Sequence, residues 1–233
     1  MRLPLIGAVV VVLVTAASAY ASPAIQNDMI LPSVKVADGC SGQVVSSKRD
    51  NESGDVETLI LTAKHCVAKL PNGQTIAIAF PQYDASTRLV GELVYYGSVA
   101  AKDPKGDLAL IRLHDKQTYF KSVVTVDDGE NPVQLGDDCW AAGFPKAWAL
   151  TITRGVIGPL ERQDFDGPDG EIEYRRASAQ VAGGSSGGGL YRLIDGAYTL
   201  IGVTTGRASS DAFIAMWTPL DAIKDFLAKW VTS

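Results

Sequence analysis

Short apolar runs, many of them alternating with polar residues, recur along the chain and are cut apart by clusters of turn formers. GQVVSS (42–47), ETLILTA (57–63), QTIAIAF (74–80), RLVGELVYYG (88–97) and DLALIRL (107–113) are rich in Val, Ile, Thr, Leu and Tyr. KRDNESGD (48–55), LPNG (70–73) and KDPKG (102–106) lie between them. A polar, turn-rich connector occupies 126–138. A second series follows: CWAAGF (139–144), LTITRGVIG (150–158), EIEYRRASAQV (171–181), GLYRLI (189–194), YTLIGVTT (198–205) and AFIAMW (212–217). Runs of this length and composition, bounded by Gly, Pro, Asn and Asp, predict strands. Two groups of about six strands predict an all-β chain built as barrels or sandwiches.

One helix is predicted, at the end. Leu220, Ile223, Phe226, Leu227, Trp230 and Val231 recur at helical spacing. Thr218 stands as N-cap, Pro219 at the first helical position and Asp221 three residues after the cap, which places the helix at about 219–231. Its apolar face should pack on the second strand group. At the other end, Arg2 precedes an almost wholly apolar stretch from Leu5 to Ala17, and small residues bracket Tyr20. This is the layout of a secretory signal peptide cleaved after Ala21. The run is short for a bilayer span of about 20 residues, so no stable membrane anchor is expected after cleavage, and the mature chain would be 22–233, secreted or periplasmic.

Charge adds an exclusion. The formal net charge of the 233 residues is -5 with both signs interspersed, so no basic stripe invites nucleic acid. Three cysteines, Cys40, Cys66 and Cys139, allow one disulfide and one leftover thiol in an exported protein, and spacing does not choose the pair. DFDGPDGE (164–171) has an acidic look, but Pro168 falls on a ligand position of the calcium-loop template and Asp169 one place late, so it reads as a solvated hairpin tip. No metal or other cofactor is expected. Asn51-Glu52-Ser53 is a glycosylation sequon in a polar loop, relevant only in a glycosylating host.

The candidate chemistry starts at seven consecutive Gly and Ser residues, 183–189. Such a run is ordinarily a linker, but the 43 residues after Leu190 are too few for a second core. The alternative is a loop holding a nucleophilic serine. Two other segments favour it. His65 ends the apolar run LILTAKH, and Asp107 stands at the mouth of DLALIRL. His114, the only other histidine, lies in the polar stretch HDKQ and reads as a surface residue. A serine hydroxyl is a weak nucleophile until an imidazole takes its proton, and a buried carboxylate fixes the tautomer of that imidazole. Glycines let a loop turn sharply enough to direct two backbone N–H groups at an oxyanion.

LTAKHC, GDLALIRL and GGSSGGGL together resemble the three signature segments of chymotrypsin-fold serine proteases, in that family's order His, Asp, Ser. The separations of 42 and 79 residues suit one barrel followed by another. GFP, LTITRGVIG and LIGVTTG are most similar to the bacterial HtrA-type branch, without a PDZ module. The likeness covers about residues 36 to 231. It implies two six-stranded antiparallel β-barrels, about 36–122 and 128–217, with a C-terminal helix. It implies His65 as general base, Asp107 as its orienter, Ser186 as nucleophile, and the N–H groups of Gly184 and Ser186 as oxyanion hole. GCSGQVV resembles the strand that supplies the partner of the cysteine after the catalytic His, which implies a Cys40–Cys66 disulfide and leaves Cys139 a buried free thiol. Gln180, Thr205, Gly206, Arg207 and Asp211 fall where the family builds its specificity pocket. The partner so implied is a protein or peptide substrate; the alternative is a catalytically silent homologue that binds peptides or partners.

The departures are informative. Animal trypsins carry Asp before the nucleophile to receive a new N-terminus. Ser185 stands there and cannot form that ion pair, so activation by N-terminal insertion is not expected. Gln180 replaces the pocket carboxylate of trypsins, which removes the support for a Lys/Arg preference and points to small or medium uncharged side chains. Lys64 replaces the small residue common before the catalytic His.

Overall fold

A computed structural model describes residues 22–37, 39–84, 88–159, 163–167, 170–207 and 214–231, with the backbone alone for 163–167, 170–173 and 207. The signal-like segment 1–21 and Asp211 lie outside the described residues. A helical start, α1 (Pro23–Ile25) continued by a turn over Gln26–Ile30, leads into the first strand group. Strands β1 (Ser33–Val36), β2 (Cys40–Arg49), β3 (Val56–Thr62), β4 (Thr75–Tyr83), β5 (Leu89–Lys102) and β6 (Ala109–Leu113) close into a barrel in the order β1-β2-β3-β6-β5-β4. Short β1 closes it by pairing with both β2 and β4.

The second group holds β7 (Thr125–Val126), β8 (Asp138–Gly143), β9 (Thr151–Val156), β10 (Gln163–Gly167), β11 (Gly170–Ala177), β12 (Gly189–Ile194), β13 (Ala197–Arg207) and β14 (Ala215–Pro219). Its path is β10-β11-β14-β13-β12-β8-β9, with β7 added in parallel to β13. The sheet curls into a half-barrel, and an isolated bridge from Ile157 to Ala177 links the end of β9 to β11. The all-β, chymotrypsin-like architecture is therefore present, with a curled half-barrel as its second unit. β10 and β11 pair as a hairpin, so the acidic segment 164–171 does fall at a hairpin, whose tip lies outside the described residues.

Period-two alternation explains why several strands read as unbroken apolar runs. In β3, Ile60 points into the closed barrel with Val44, Ile78 and Ile111, while Leu59 and Leu61 point the other way. That other face is a shared core in which Leu59, Leu61 and Leu110 of the barrel meet Tyr191, Leu200 and Val203 of the sheet. A third cluster, with Cys139, Ile157, Ile201 and Trp217, fills the half-barrel. A strand buried on both faces has no polar side to show. The buried pair Arg192–Asp127, at 2.7 Å, anchors the connector to the sheet. Burial pushes the Asp127 carboxyl up, but hydrogen bonds from Arg192, Gly129 N–H and Thr199 together hold it below the usual carboxylate value.

The final helix is shorter than expected. It spans α2 (Leu220–Leu227), and its N-cap is Pro219, with no side-chain cap bond. Thr218 is not the cap: it is the fourth residue of β14, buried, with Oγ1 bonded to Thr205 Oγ1 at 3.1 Å. Extending the strand through Pro219 takes away the capping geometry. Trp230 and Val231 follow in a turn, their N–H groups bonded to the Leu227 carbonyl. Ile223, Phe226 and Leu227 are buried in the shared core as the apolar stripe requires.

Cys40 and Cys66 are joined, with their Cα atoms 6.1 Å apart, and Cys139 is a buried free thiol. The bridge closes a loop of about 27 residues, worth roughly 3–4 kcal/mol in the chain-entropy account. Reduction should lower unfolding stability by about that amount in a denaturant titration. Burial, helped by the Asp138 charge, pushes the Cys139 thiol from its ordinary 9.0 up to about 12. The unfolded thiol ionises first, so its contribution to stability is complete below about pH 9 and is lost as pH rises toward about 12. Alkylation of Cys139 should therefore be negligible in the native protein at pH 8 and rapid in denaturant; brisk native labelling would contradict this burial.

Candidate active site

β3 and β6 are antiparallel neighbours with Thr62 opposite Ala109. The end of one strand and the start of the other thus share one rim of the barrel, which brings His65 and Asp107 together across 42 residues. His65 sits in the short helical turn Lys64–Cys66 after β3. Asp107 receives it twice: Oδ1 accepts the His65 backbone N–H at 2.8 Å, and Oδ2 lies 2.7 Å from Nδ1. The Asp107 side chain is wholly buried, while that of His65 is 27% exposed. A buried carboxylate needs such donors to remain in place. It also assigns the proton of the neutral ring to Nδ1 and leaves Nε2 as the basic nitrogen.

Lysines brace this rim. Lys102 Nζ donates to the carbonyls of Ala68 and Leu70 at 2.8 and 2.6 Å. Lys64 Nζ donates to the carbonyl of Asp103 at 3.3 Å, tying the turn that carries His65 to the loop that delivers Asp107. This gives the unusual residue before His65 a structural task.

The Gly/Ser run is an ordered loop entering β12, not a linker. Ser41, at the start of β2, holds it from the barrel side. Its N–H donates to the Ser186 carbonyl at 2.7 Å, and its Oγ donates to the Gly184 carbonyl at 2.7 Å while accepting the Phe144 N–H at 2.8 Å. Cys66 Sγ lies 3.7 Å from the same Ser186 carbonyl, so the loop meets the disulfide beside His65. Gly187 has φ +84°, and a Cβ there would collide with the Ser41 carbonyl and Thr62 Oγ1. Only glycine fits this close approach. Ser186 Oγ donates to the Thr205 carbonyl at 3.3 Å.

Within the loop the N–H groups divide into two sets. Those of Ser185, Gly187 and Gly188 donate to the carbonyls of Ala182, Thr204 and Ser185. Among the described residues, those of Gly183, Gly184 and Ser186 have no protein acceptor. The Gly183 carbonyl accepts from Lys146 N–H at 2.6 Å. No described peptide is cis, so within that peptide plane the Gly184 N–H points in the direction opposite to the carbonyl that Lys146 holds. Two N–H groups without a protein acceptor thus lie on either side of Ser185.

The residues read as pocket formers are placed as follows. Gln180 lines a cavity with Val181 and Ala182 on the β8–β9 side of the loop. Thr205 turns its side chain to Thr218 and offers its carbonyl to Ser186. Gly206 pairs with Met216. The Arg207 side chain, like Asp211, is outside the described residues. Among the described residues one cluster has metal-ligand spacing, Cys40, His65 and Cys66. Its sulfurs are bonded to each other, so they supply no thiolate. Ser41, Thr62 and Lys146 were not picked out as site residues from the sequence; only the neighbourhood of Ser41, in GCSG, carried a signal.

A family model described as a trypsin-like peptidase domain matches residues 40–203. The chain is 31% identical over 183 residues to the mitochondrial serine protease HTRA2 of Bos taurus, covering 76% of this chain and 35% of that protein. It is 34% identical over 115 residues to a probable periplasmic serine endoprotease, DegP-like, of Chlamydia muridarum, covering 49% of this chain and 22% of the other. The chain spans about a third to a half of the length of the curated relatives it matches first. Among solved structures, the active form of the M. tuberculosis protease Rv3671c superposes with a TM-score of 0.64 at 21% identity, covering 100% of this chain and 96% of that one, a likeness of fold.

The hydrogen bonds to Ser41 Oγ predict a measurable effect. Ser41→Ala strands the Gly184 carbonyl and the Phe144 N–H, so stability should fall by about 1–3 kcal/mol. Ser41→Thr, which keeps the hydroxyl, should lose less. Equal losses in the two variants, measured by chemical denaturation, would mean that the hydroxyl is not what holds the loop.

Proposed function

The chain belongs to the trypsin-like peptidase family, with HtrA- and DegP-type serine proteases among its relatives, and we propose that it is itself a serine endopeptidase acting through an acyl-enzyme on Ser186. The observation that carries this reading is the double engagement of His65 by buried Asp107 at the seam where the loop brings Ser186, with the N–H groups of Gly184 and Ser186 lacking an acceptor among the described residues. In this reading Ser186 Oγ attacks the scissile carbonyl carbon and His65 Nε2 takes its proton. Asp107 stays ionised, keeps Nδ1–H oriented and stabilises the imidazolium. The N–H groups of Gly184 and Ser186 receive the oxyanion. Collapse of the tetrahedral intermediate expels the amine, which receives the proton from His65. Water then attacks the acyl-enzyme with His65 again as base, releasing the acid and restoring Ser186. Substrates are protein or peptide chains. The uncharged Gln180 supports selection of small or medium uncharged side chains rather than Lys or Arg. The signal-like segment 1–21 and the periplasmic naming of the DegP-like relatives support export to the periplasm or beyond.

Activity needs no new N-terminus in this reading. Ser185 Oγ accepts from Ala182 N–H at 3.3 Å, within its own loop. The first described residues are docked elsewhere, with Asp28 accepting from Tyr198 N–H at 2.9 Å.

Fluorophosphonate labelling followed by peptide mapping tests the assignment. Label should sit on Ser186, and Ser186→Ala should abolish it and lower kcat by about 10⁴ or more. Ser185→Ala should keep a substantial fraction. An unlabelled, folded wild type would instead mark a silent homologue that binds peptides. Activity should fall on acidification as the His65 imidazole takes a proton. A flat kcat/KM profile from acid to alkaline pH would remove His65 from the role of base. Chains beginning at Ser22 and chains with a few extra residues should have similar kcat/KM. Activity confined to one trimmed N-terminus would restore activation by insertion.

A further inference from the structure

The ribbon formed by β4 and β5 carries apolar side chains on its solvent side. Ile78 and Phe80 of β4 point into the closed barrel, so Ala77, Ala79 and Pro81 point out of it. Their partners across the ladder, Tyr96, Val94 and Glu92, share that outward face. Val94 and Tyr96 are 55% and 59% exposed there. The solvent side of such a strand is ordinarily polar, and a contiguous apolar patch marks an interaction surface. We propose that this outer face of the β4–β5 ribbon docks an apolar stretch of the polypeptide substrate, at a distance from the bond that is cut. The inference rests on the protease reading and adds to it a second point of contact with the same substrate chain.

The face is continuous with the site. Lys35 of β1 lies opposite Ala79, which lies opposite Val94, so the three form one row across three strands. Lys35 is bonded to Glu92 and places its Nζ 5.6 Å from the centre of the Phe144 ring. Phe144 in turn gives its N–H to Ser41 Oγ, which holds the Gly184 carbonyl. Neighbouring strands are about 4.8 Å apart, so Val94 is two spacings, about 10 Å, from Lys35. A few residues of extended chain, at about 3.3 Å each, cover that distance.

The size and stiffness of the face select the occupant. Ala77, Ala79, Pro81, Val94 and Tyr96 give cover to about two or three apolar side chains, whereas a stable interface between folded proteins takes about 20–30 residues a side. The other side of the ribbon is held by packed rings, with Phe80 4.5 Å from Phe120 and 5.2 Å from Tyr95. A platform fixed in this way loses little freedom when a chain settles on it. Two substrate side chains partly buried against Val94 and Tyr96 should strengthen binding about tenfold.

Quenched-fluorescence peptides with a central run of alanines between two long arms test this. The outer part of the N-terminal arm, of the C-terminal arm or of neither is Leu-Val-Phe-Leu, and the rest is Ser-Gly repeats. One of the two apolar peptides should exceed the polar one in kcat/KM about tenfold, chiefly through KM. Val94→Thr combined with Tyr96→Thr keeps good strand formers and should bring that ratio close to one; the single variants serve if the pair fails to fold. Leu193→Thr, at an exposed position of β12, should leave the ratio in place. Bound to Ser186→Ala, the same apolar peptide should shift the Val94 methyl and Tyr96 ring signals, and the polar peptide should not. Absence of these shifts, equal kcat/KM for the three peptides, or a ratio that survives in the folded variants would overturn the docking face. A dimer in sedimentation that the Val94 and Tyr96 variants disperse would give the face to a second copy and overturn it as well. A wild type that resists fluorophosphonate, with the shifts intact in Ser186→Ala, would sink the protease reading and leave a peptide-docking face; a labelled wild type without the shifts would do the reverse.

Discussion

The backbone hydrogen bond from Ser41 to the Ser186 carbonyl is the contact on which the site depends. It is one bond, but it crosses the seam between a closed barrel that carries His65 and Asp107 and a curled sheet that carries the glycine loop. Neither half contains the whole constellation. The halves are pressed together by apolar burial, which is strong but indifferent to angle. Polar contacts at the rim supply the direction: Ser41 Oγ to the Gly184 carbonyl, Thr62 Oγ1 to the Ser41 carbonyl at 2.7 Å, and Gly187 N–H to the Thr204 carbonyl at 2.7 Å. Glycine at 187 is what lets the two backbones approach closely enough for these bonds to form together.

The disulfide reinforces the same seam from the barrel side. Cys40 immediately precedes Ser41, and Cys66 immediately follows His65. The bridge therefore joins the strand start that grips the loop to the turn that carries the imidazole. Lys64 and Lys102 brace that turn against the segment leading to Asp107. An imidazole left 27% exposed is thus held through its backbone, its neighbours and its Nδ1 at once.

Sequence reading recovered the longer strands rich in Val, Ile, Leu, Thr and Tyr and missed short ones. Ser33–Val36 is four residues with a lysine inside, and Gln163–Gly167 is mostly polar, yet one closes the barrel and the other extends the sheet. Both are specified by their partners' free edges more than by their own composition. The helix cap failed for a related reason. Thr218 has the right side chain for a cap, but β13 claims it for the sheet through Thr205. At the site, the side chains proposed to do chemistry were legible because only a few residue types can do such work. The groups that hold the loop act mostly through backbone atoms, as at Lys146 and Thr205, and backbone atoms leave no residue-type signature.

Lys146 and Ala147 show where the cost of the loop's aim is located. Their φ values of 53° and 57° are in the left-handed region that side chains with a Cβ adopt at a penalty of about 1–3 kcal/mol each. Two such residues in succession persist only where the surroundings over-determine them. Here the turn is pinned by Phe144 N–H on Ser41 Oγ at one end and by Trp148 N–H on the Pro145 carbonyl at the other. Relaxing Lys146 would withdraw its N–H from the Gly183 carbonyl, and the 183–184 peptide would be free to rotate. A family that places a carboxylate next to its nucleophile can hold this peptide from within the loop. With Ser185 in that place, a strained turn outside the loop holds it instead.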